Sequence, residues 1–93
     1  MSNTIPPATM VSRKPHVVDS VLDDEMLALD PRSGEVFVFR LTARAIWELL
    51  ETPMSMKELC DRLREKFDVD EGRCAEEVSM FLGRLHAEGI IQL

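Results

Sequence analysis

The sequence predicts an α+β domain of winged-helix-like size, in which a three-stranded antiparallel sheet is followed by three helices in the order β-β-β-α-α-α. Short β-type runs separated by turn residues fill positions 16–40. After Arg40 the apolar residues recur with a helical period instead. The chain has 93 residues, which is enough for one hydrophobic core and therefore for a single domain.

Three runs of β-type residues define the predicted sheet. The first is "HVVDSVL", beginning at His16, the second is "MLALD", and the third is "EVFVF". The polar stretch "DDE" separates the first two runs, and the turn "DPRSG" separates the last two. In that turn Pro31 presets φ and Gly34 is free to adopt a positive φ, so the flanking strands are expected to form an antiparallel meander.

Each predicted helix has a recognisable start. Thr42 is the expected N-cap of the first helix, an S-x-x-E capping box begins at Ser55 before the second, and Asp70 is expected to cap the third. Gly89 follows the last apolar position of the third helix, where a left-handed residue commonly ends a helix. The three helices are expected to pack on one face of the sheet.

The first fifteen residues differ in character from the rest of the chain. Met1–Pro15 contains three prolines and several small polar residues, which cannot sustain a helix and offer few partners to a sheet. We therefore expect residues 1–15 to form a flexible N-terminal arm and residues 16–93 to form the folded domain.

The composition argues against several classes of partner. A net charge of −6 and a pI near 4.8 oppose binding to nucleic acid. The sequence has no signal peptide and no apolar run of transmembrane length, which predicts a cytoplasmic protein with no membrane partner. Cys60 and Cys74 lie on apolar helix stripes and lack the spacing of metal ligands, so both are expected to be core thiols.

Motifs for catalysis and for cofactor binding do not stand out. No nucleophile has a base at a suggestive spacing, and the glycines form neither of the common phosphate-binding patterns. The sequence therefore predicts no catalytic residue, no cofactor and no metal site.

The third predicted strand has an unusual pattern. Val36, Phe37, Val38 and Phe39 are consecutive apolar residues, whereas a strand with one solvent-exposed face alternates apolar with polar residues. If the phenylalanines pack on the helices, the valines need cover from elsewhere. The N-terminal arm, a second subunit and a bound peptide are all possible covers at this point.

Taken together, these segments resemble the PqqD-like family, whose members are also called RiPP recognition elements. The resemblance covers about Val17 to Ile91 and depends on the order and spacing of four pieces. These are the turn Asp30–Pro31–Ser33–Gly34, the helix residues Leu41–Thr42–Ala45–Ile46–Trp47–Leu49–Leu50, the junction Phe67–Asp68–Val69–Asp70, and the terminal Leu85–Gly89–Ile90.

The resemblance implies a non-catalytic peptide-binding domain. Such domains bind the leader segment of a ribosomally made precursor peptide and present it to a modifying enzyme, which can be a radical SAM enzyme, a cyclase or a leader peptidase. Pyrroloquinoline quinone (PQQ) synthesis is one such pathway. The leader adds as a further strand to the edge of the third strand and lies against the third helix.

By family position, the peptide-binding residues are expected on the third strand and on one flank of the third helix. Phe81 is expected to form an apolar floor, and Arg84 to anchor an acidic leader residue, although Arg84 could instead pair with Glu77 or Glu88. The arm is hypothesised to fold over the groove. The expected site residues are Glu35, Val36, Phe37, Val38, Phe39, Glu77, Phe81 and Arg84.

Two other functions compete with the peptide adaptor. A winged-helix regulator would bind DNA through the third helix, but Arg73 and Arg84 are outnumbered there by Glu71, Glu76, Glu77 and Glu88. Alternatively, the third-strand edges of two copies could pair and form a structural homodimer.

Overall fold

A computed structural model describes residues 4–93 of the chain and contains two antiparallel three-stranded sheets and three helices. The larger sheet has the order β2-β3-β4, and the smaller one has the order β5-β1-β6. The α+β prediction is confirmed, because the larger sheet is followed by three helices. The elements are β1 (Met10–Arg13), β2 (Val18–Leu22), β3 (Glu25–Asp30), β4 (Glu35–Phe39), α1 (Leu41–Leu49), β5 (Met54–Ser55), α2 (Met56–Lys66), α3 (Glu71–Ala87) and β6 (Ile91–Gln92).

The turn between β3 and β4 sets the register of the larger sheet. Gly34 has a φ of +79°, and its N–H donates to the Asp30 carbonyl at 2.8 Å. Asp30 therefore lies opposite Glu35, and Leu29 lies opposite Val36. Because side chains alternate along a strand, this register sends Phe37 and Phe39 to the helix side of the sheet and the valines to the other side.

The predicted caps of α2 and α3 are confirmed. The Ser55 hydroxyl accepts a hydrogen bond from the Glu58 N–H at 3.1 Å, and the Asp70 carboxylate accepts one from the Arg73 N–H at 2.8 Å. Both bonds satisfy N–H groups that have no partner within their own helix. The capping side chains therefore fix where α2 and α3 begin.

Gly89 ends α3, as predicted. Its φ is +79°, its N–H donates to the His86 carbonyl at 3.0 Å, and the Ile90 N–H donates to the Leu85 carbonyl at 3.1 Å. This pair of bonds is a Schellman motif, which reverses the chain after a helix. The reversal places Ile90 in the core and leaves Glu88 as the C-cap residue of α3.

The predicted N-cap of α1 is wrong. The helix begins at Leu41, and Arg40 occupies the N-cap position without a side-chain capping bond. The physical reason is the backbone at Leu41, whose φ of +53° turns the chain directly from β4 into the helix. Thr42 consequently lies inside the first turn, two residues after the N-cap position.

The N-terminal segment also differs from the sequence prediction. Met10–Arg13 forms β1 and pairs on one side with Met54–Ser55 and on the other with Ile91–Gln92. The prediction of an arm without sheet partners is therefore wrong for residues 10–13. The partner strands have two residues each, too few to show a period of two in the sequence. Residues 1–3 lie outside the described part, and the division of the chain at residue 16 stays a prediction.

The smaller sheet contributes to the same hydrophobic core as the helices. Val11 of β1, Ile90 and Ile91 are fully buried, as is Trp47 of α1. The N-terminal segment continues this packing along the helices, since the Ile5 N–H donates to the Ser79 hydroxyl at 2.8 Å. Residues 5–13 are thus built into the fold. None of the helices described in residues 4–93 is both long enough and apolar enough to cross a membrane.

Candidate peptide-binding groove

β4 is an edge strand of the larger sheet. Within residues 4–93 it pairs with β3 and with no other strand, so its second edge has main-chain groups available for hydrogen bonding. Phe39 is buried and Phe37 is half-buried on the helix side, while the side chains of Val36 and Val38 remain 59% and 52% exposed. The strand thus offers both an unpaired edge and an uncovered apolar face.

The uncovered face extends across the whole sheet. Val18 of β2, Leu29 of β3 and Val36 of β4 form one lateral row on this side, and all three are exposed. No residue of 4–15 lines the groove beside β4, and Ile5 lies against Ser79 on the opposite flank of α3. Cover of the strand or the groove by residues 4–15 of the arm, one of the possibilities left open by the sequence, is therefore excluded.

α3 forms the wall opposite β4. The rings of Phe39 and Phe81 meet edge to face, with centroids 5.8 Å apart at 83°, and Phe39 also contacts Trp47 at 5.2 Å. This aromatic contact fixes the spacing between the strand and the helix. Between them lies an open groove of about 400 Å³, lined by Val36, Phe37, Val38, Phe39, Ala43, Phe81, Arg84, Leu85 and Glu88.

Six of the eight residues predicted for the site line this groove, and the other two lie beside it. Glu35 lies at the end of the strand, next to Glu88. Glu77 lies beyond Phe81, where it accepts a hydrogen bond from Arg73 at 3.0 Å. The prediction did not include Ala43, Leu85 or Glu88, although Glu88 belongs to the helix flank that was expected to face the strand.

A second cavity adjoins the groove. It has a volume of about 270 Å³, lies between α1 and α3, and shares Ala43 and Phe81 with the groove. Its wall is mostly apolar, so it extends the apolar surface past Phe81. The remaining lining residues are Thr42, Ile46, Leu63, Phe67, Val69, Cys74, Glu77 and Val78.

Arg84 is a cation without a bonded partner. Among residues 4–93 it makes no ion pair, because the neighbouring acid Glu77 is bonded to Arg73 and Glu88 lies next to Glu35. The guanidinium therefore remains available to a carboxylate from outside the chain.

One end of the groove carries negative charge, in contrast to the positive charge of Arg84. A hydrogen bond with the Glu88 carboxyl, reinforced by the negative charge of that group, raises the pKa of Glu35. Some desolvation of the carboxyl and the charge of Asp30 raise the pKa of Glu35 further. The groove thus carries a cation along its length and a pair of acids at one end.

The two cysteines are free, buried thiols of the core, as predicted. Burial raises the pKa of the Cys60 thiol to about 12, and the adjacent Cys74 contributes to the shift. A thiol is a nucleophile and a metal ligand only as the thiolate, which a raised pKa disfavours. The Cys60 thiol therefore serves packing, and Cys74 is buried in the same core.

The fold and the groove define a class of protein, namely a small α+β domain whose open sheet edge faces its last helix. The chain belongs to the PqqD family, since the family model described as "Coenzyme PQQ synthesis protein D (PqqD)" matches residues 25–91. The resemblance noted in the sequence is thereby confirmed.

A solved structure has a similar fold. It is "TbiB1 in Complex with the TbiA(beta) Leader Peptide", with a TM-score of 0.82 and 25% sequence identity. The match covers 87% of this chain and 94% of that chain. That structure therefore shows a protein of similar fold in complex with a leader peptide. No curated protein matches this chain significantly.

Proposed function

We propose that this protein is a non-catalytic adaptor that binds the leader segment of a ribosomally synthesised precursor peptide and delivers it to a modifying enzyme. The observation that carries the proposal is the unpaired edge of β4, which faces α3 across an open groove. Family membership and the leader-peptide complex of TbiB1 support the same function.

The leader binds by strand addition. Its main chain pairs with the free edge of Glu35–Phe39, and every second side chain points into the groove toward α3. Phe81 provides the apolar floor, and Arg84 bonds a leader carboxylate. Glu77, at the far side of Phe81, contacts the part of the leader that continues past the strand. Because the free leader is disordered, ordering it offsets part of the contact energy, and we expect dissociation constants of about nanomolar to micromolar.

The partner enzyme carries out the chemistry. A radical SAM enzyme, a cyclase or a leader peptidase is the expected partner, and PQQ synthesis is one pathway that fits the family. The adaptor itself supplies no catalytic residue, and it acts in the cytoplasm, where newly made precursor peptides are available.

DNA binding through α3 is disfavoured by the charges of the helix. Arg73 is bonded to Glu77 at 3.0 Å, which leaves Arg84 as the helix's unpaired guanidinium. A DNA-binding surface needs several free cations to neutralise phosphates. The helix instead suits a peptide ligand of mixed charge.

An N-methyl scan of the leader tests strand addition directly. The probe is a synthetic leader of the precursor encoded beside this gene, with one main-chain N–H at a time replaced by N–CH₃. In a strand only alternate N–H groups face the partner, so we expect affinity losses of about fivefold or more at every second residue. A loss that is uniform along the leader contradicts this binding mode.

A titration followed by NMR, together with light scattering, separates the adaptor from the homodimer. With the leader present, we expect the amides of Glu35–Phe39 and of the Phe81–Leu85 face of α3 to shift together and to saturate. Light scattering is expected to give the mass of a monomer with and without the leader. Shifts of β4 that depend on protein concentration alone would instead support pairing between two copies.

A further inference from the structure

The uncovered face of the larger sheet is an apolar surface that crosses all three strands. Cross-strand partners lie on the same side of a sheet, so the register of β2, β3 and β4 places six apolar residues on this face, with Ser20 among them. Five of the six are between 37% and 59% exposed, and Leu27 is half-buried. A contiguous apolar patch of this kind marks an interaction site. The six residues are Val18, Leu22, Leu27, Leu29, Val36 and Val38.

Leu41 adds a further apolar side chain where β4 ends. It is 84% exposed, and it lies beside Asp24 of the turn between β2 and β3. Its φ of +53° is strained for a leucine. Strain of this kind is retained where a function depends on it. A partner that packs on this side chain would account for a strained leucine that contacts no part of the core.

Neither the chain itself nor a second copy suits the uncovered face. Within residues 4–93, β1 belongs to the other sheet and Ile5 lies against α3. Three strands of about five residues span about 16 by 14 Å, a flat area of about 230 Å². A stable dimer needs about 800 Å² from each partner, which is more than projecting side chains add to so small a face. Two such faces would therefore not hold two copies together.

A modifying enzyme needs a smaller contact, because the precursor peptide already connects it to the adaptor. The leader is bound along β4 while the segment to be modified lies in the enzyme, so the contact between the two proteins becomes effectively intramolecular. The leader also enlarges the surface, since alternate side chains of a strand paired with β4 project onto the uncovered face beside Val36. The face extends away from the groove toward β2, so the enzyme can bind it without displacing the leader.

We propose that the uncovered face of the larger sheet is the docking surface for the modifying enzyme. This inference rests on the proposed function, because it needs a leader bound along β4. The matching surface of the enzyme is apolar, with basic residues opposite the exposed acids Asp23 and Asp24 of the β2–β3 turn. A lipid surface suits the face less well, since anionic lipids would repel these acids and the net charge of −6.

Binding of the purified modifying enzyme encoded beside this gene tests the assignment. The double variant V18K/L29K places two charges on the uncovered face, at positions that do not line the groove. With the precursor peptide bound, we expect the enzyme to bind this variant about tenfold more weakly in biolayer interferometry. The affinity for the leader alone, measured by fluorescence anisotropy, is expected to stay unchanged. Met80→Lys alters an exposed apolar residue of α3 instead and should change neither affinity.

Photo-crosslinking gives a check that does not depend on loss of binding. In Val18→benzoylphenylalanine, irradiation of the complex is expected to link the adaptor to the enzyme. The same substitution at Met80 is expected to give no such link. Links that join two adaptors through position 18 would overturn the inference and support an interface between copies of this chain.

Failure of the inference is distinguishable from failure of the proposed function. If V18K/L29K binds the leader and the enzyme as tightly as the unmodified protein does, the docking surface is rejected and the adaptor function remains. Loss of leader affinity in V18K/L29K also rejects the inference, because the face would then belong to the leader site. An unmodified protein that binds the leader but not the enzyme rejects the docking surface and the delivery step. Absence of binding by any leader rejects the proposed function and the inference together.

Discussion

The guanidinium carbon of Arg13 lies 4.5 Å from the centroid of the Trp47 ring, so β1 stacks on the tryptophan of α1. The Arg13 Nε also donates to the Trp47 carbonyl at 3.0 Å. Asp19 of β2 completes the cluster, since one of its carboxylate oxygens accepts from the Arg13 guanidinium at 2.8 Å and from the Trp47 indole at 2.9 Å. These contacts connect both sheets to α1.

Arg13→Ala is expected to lower the free energy of unfolding by about 2 kcal/mol, because it removes the stacked cation and leaves the Trp47 carbonyl without its donor. Urea unfolding followed by circular dichroism measures the change. Arg32→Ala is the matched control, since Arg32 is exposed and its side chain makes no bond within residues 4–93. Equal urea midpoints for the two variants would contradict the structural role of Arg13.

Leu41→Asn is expected to stabilise the protein. Leu41 adopts a φ of +53°, and its side chain is 84% exposed, so it strains the backbone without contributing to the core. Asn tolerates this left-handed conformation better than Leu, and relief of the strain is worth about 0.5–1 kcal/mol. The increase should appear as a higher urea midpoint. Thr42→Asn, one residue later in the helix, should give no such gain.

Phe81→Ala is expected to weaken leader binding about tenfold, because it removes the apolar floor at the junction of the groove and the second cavity. Titration calorimetry with the synthetic leader measures the loss. Met80→Ala alters the neighbouring residue, which is 64% exposed on α3, and should bind as the unmodified protein does. A folded Phe81→Ala protein with undiminished affinity would show that the leader lies elsewhere.

Asp30→Asn is expected to make the free energy of unfolding less dependent on pH in the acidic range. A hydrogen bond from the Arg32 N–H lowers the pKa of Asp30 below its ordinary value of 3.8, with His16 assisting, although burial opposes the shift. Asp30 therefore binds its proton less readily in the folded than in the unfolded protein, and its stabilisation is lost as the pH falls through the lowered pKa.

The measurement for Asp30 is a series of urea midpoints from about pH 6 down to about pH 2. The unmodified protein and Asp30→Asn should differ most at the upper end of that range and converge at the lower end. Asp24→Asn, in the exposed turn between β2 and β3, is the control and should follow the unmodified protein throughout. Parallel curves for Asp30→Asn and the unmodified protein would rule out a role for this carboxylate.

The sequence predicted those parts of the fold whose signals are local. The caps at Ser55 and Asp70 and the left-handed turn at Gly89 each depend on a few neighbouring residues. β1 was missed because its partners lie more than forty residues away along the chain at Ser55 and about eighty away at Gln92. Short strands paired at such separations leave no periodic pattern to detect.

For the groove, too, the sequence predicted the local features but not how distant elements meet. The alternation of Val36 and Phe37 could be derived from the strand period, and the flank of α3 from the helical period. The level at which the two elements meet could not be derived, because it depends on the contact of Phe39 with Phe81. Glu88 was therefore left out of the predicted site, although it lines the groove together with Phe81 and Arg84.

The position of β1 between β5 and β6 means that the cooperative folding unit is larger than the region by which the family is recognised. The family model matches residues 25–91, yet Val11 is fully buried and pairs with Met54. A fragment trimmed to residues 25–91 would lose β1 and β2 and expose the core. The first and last strands, β1 and β6, belong to the sheet that does not contain β4, so a fusion partner joined before β1 or after β6 would not extend the strand that carries the groove.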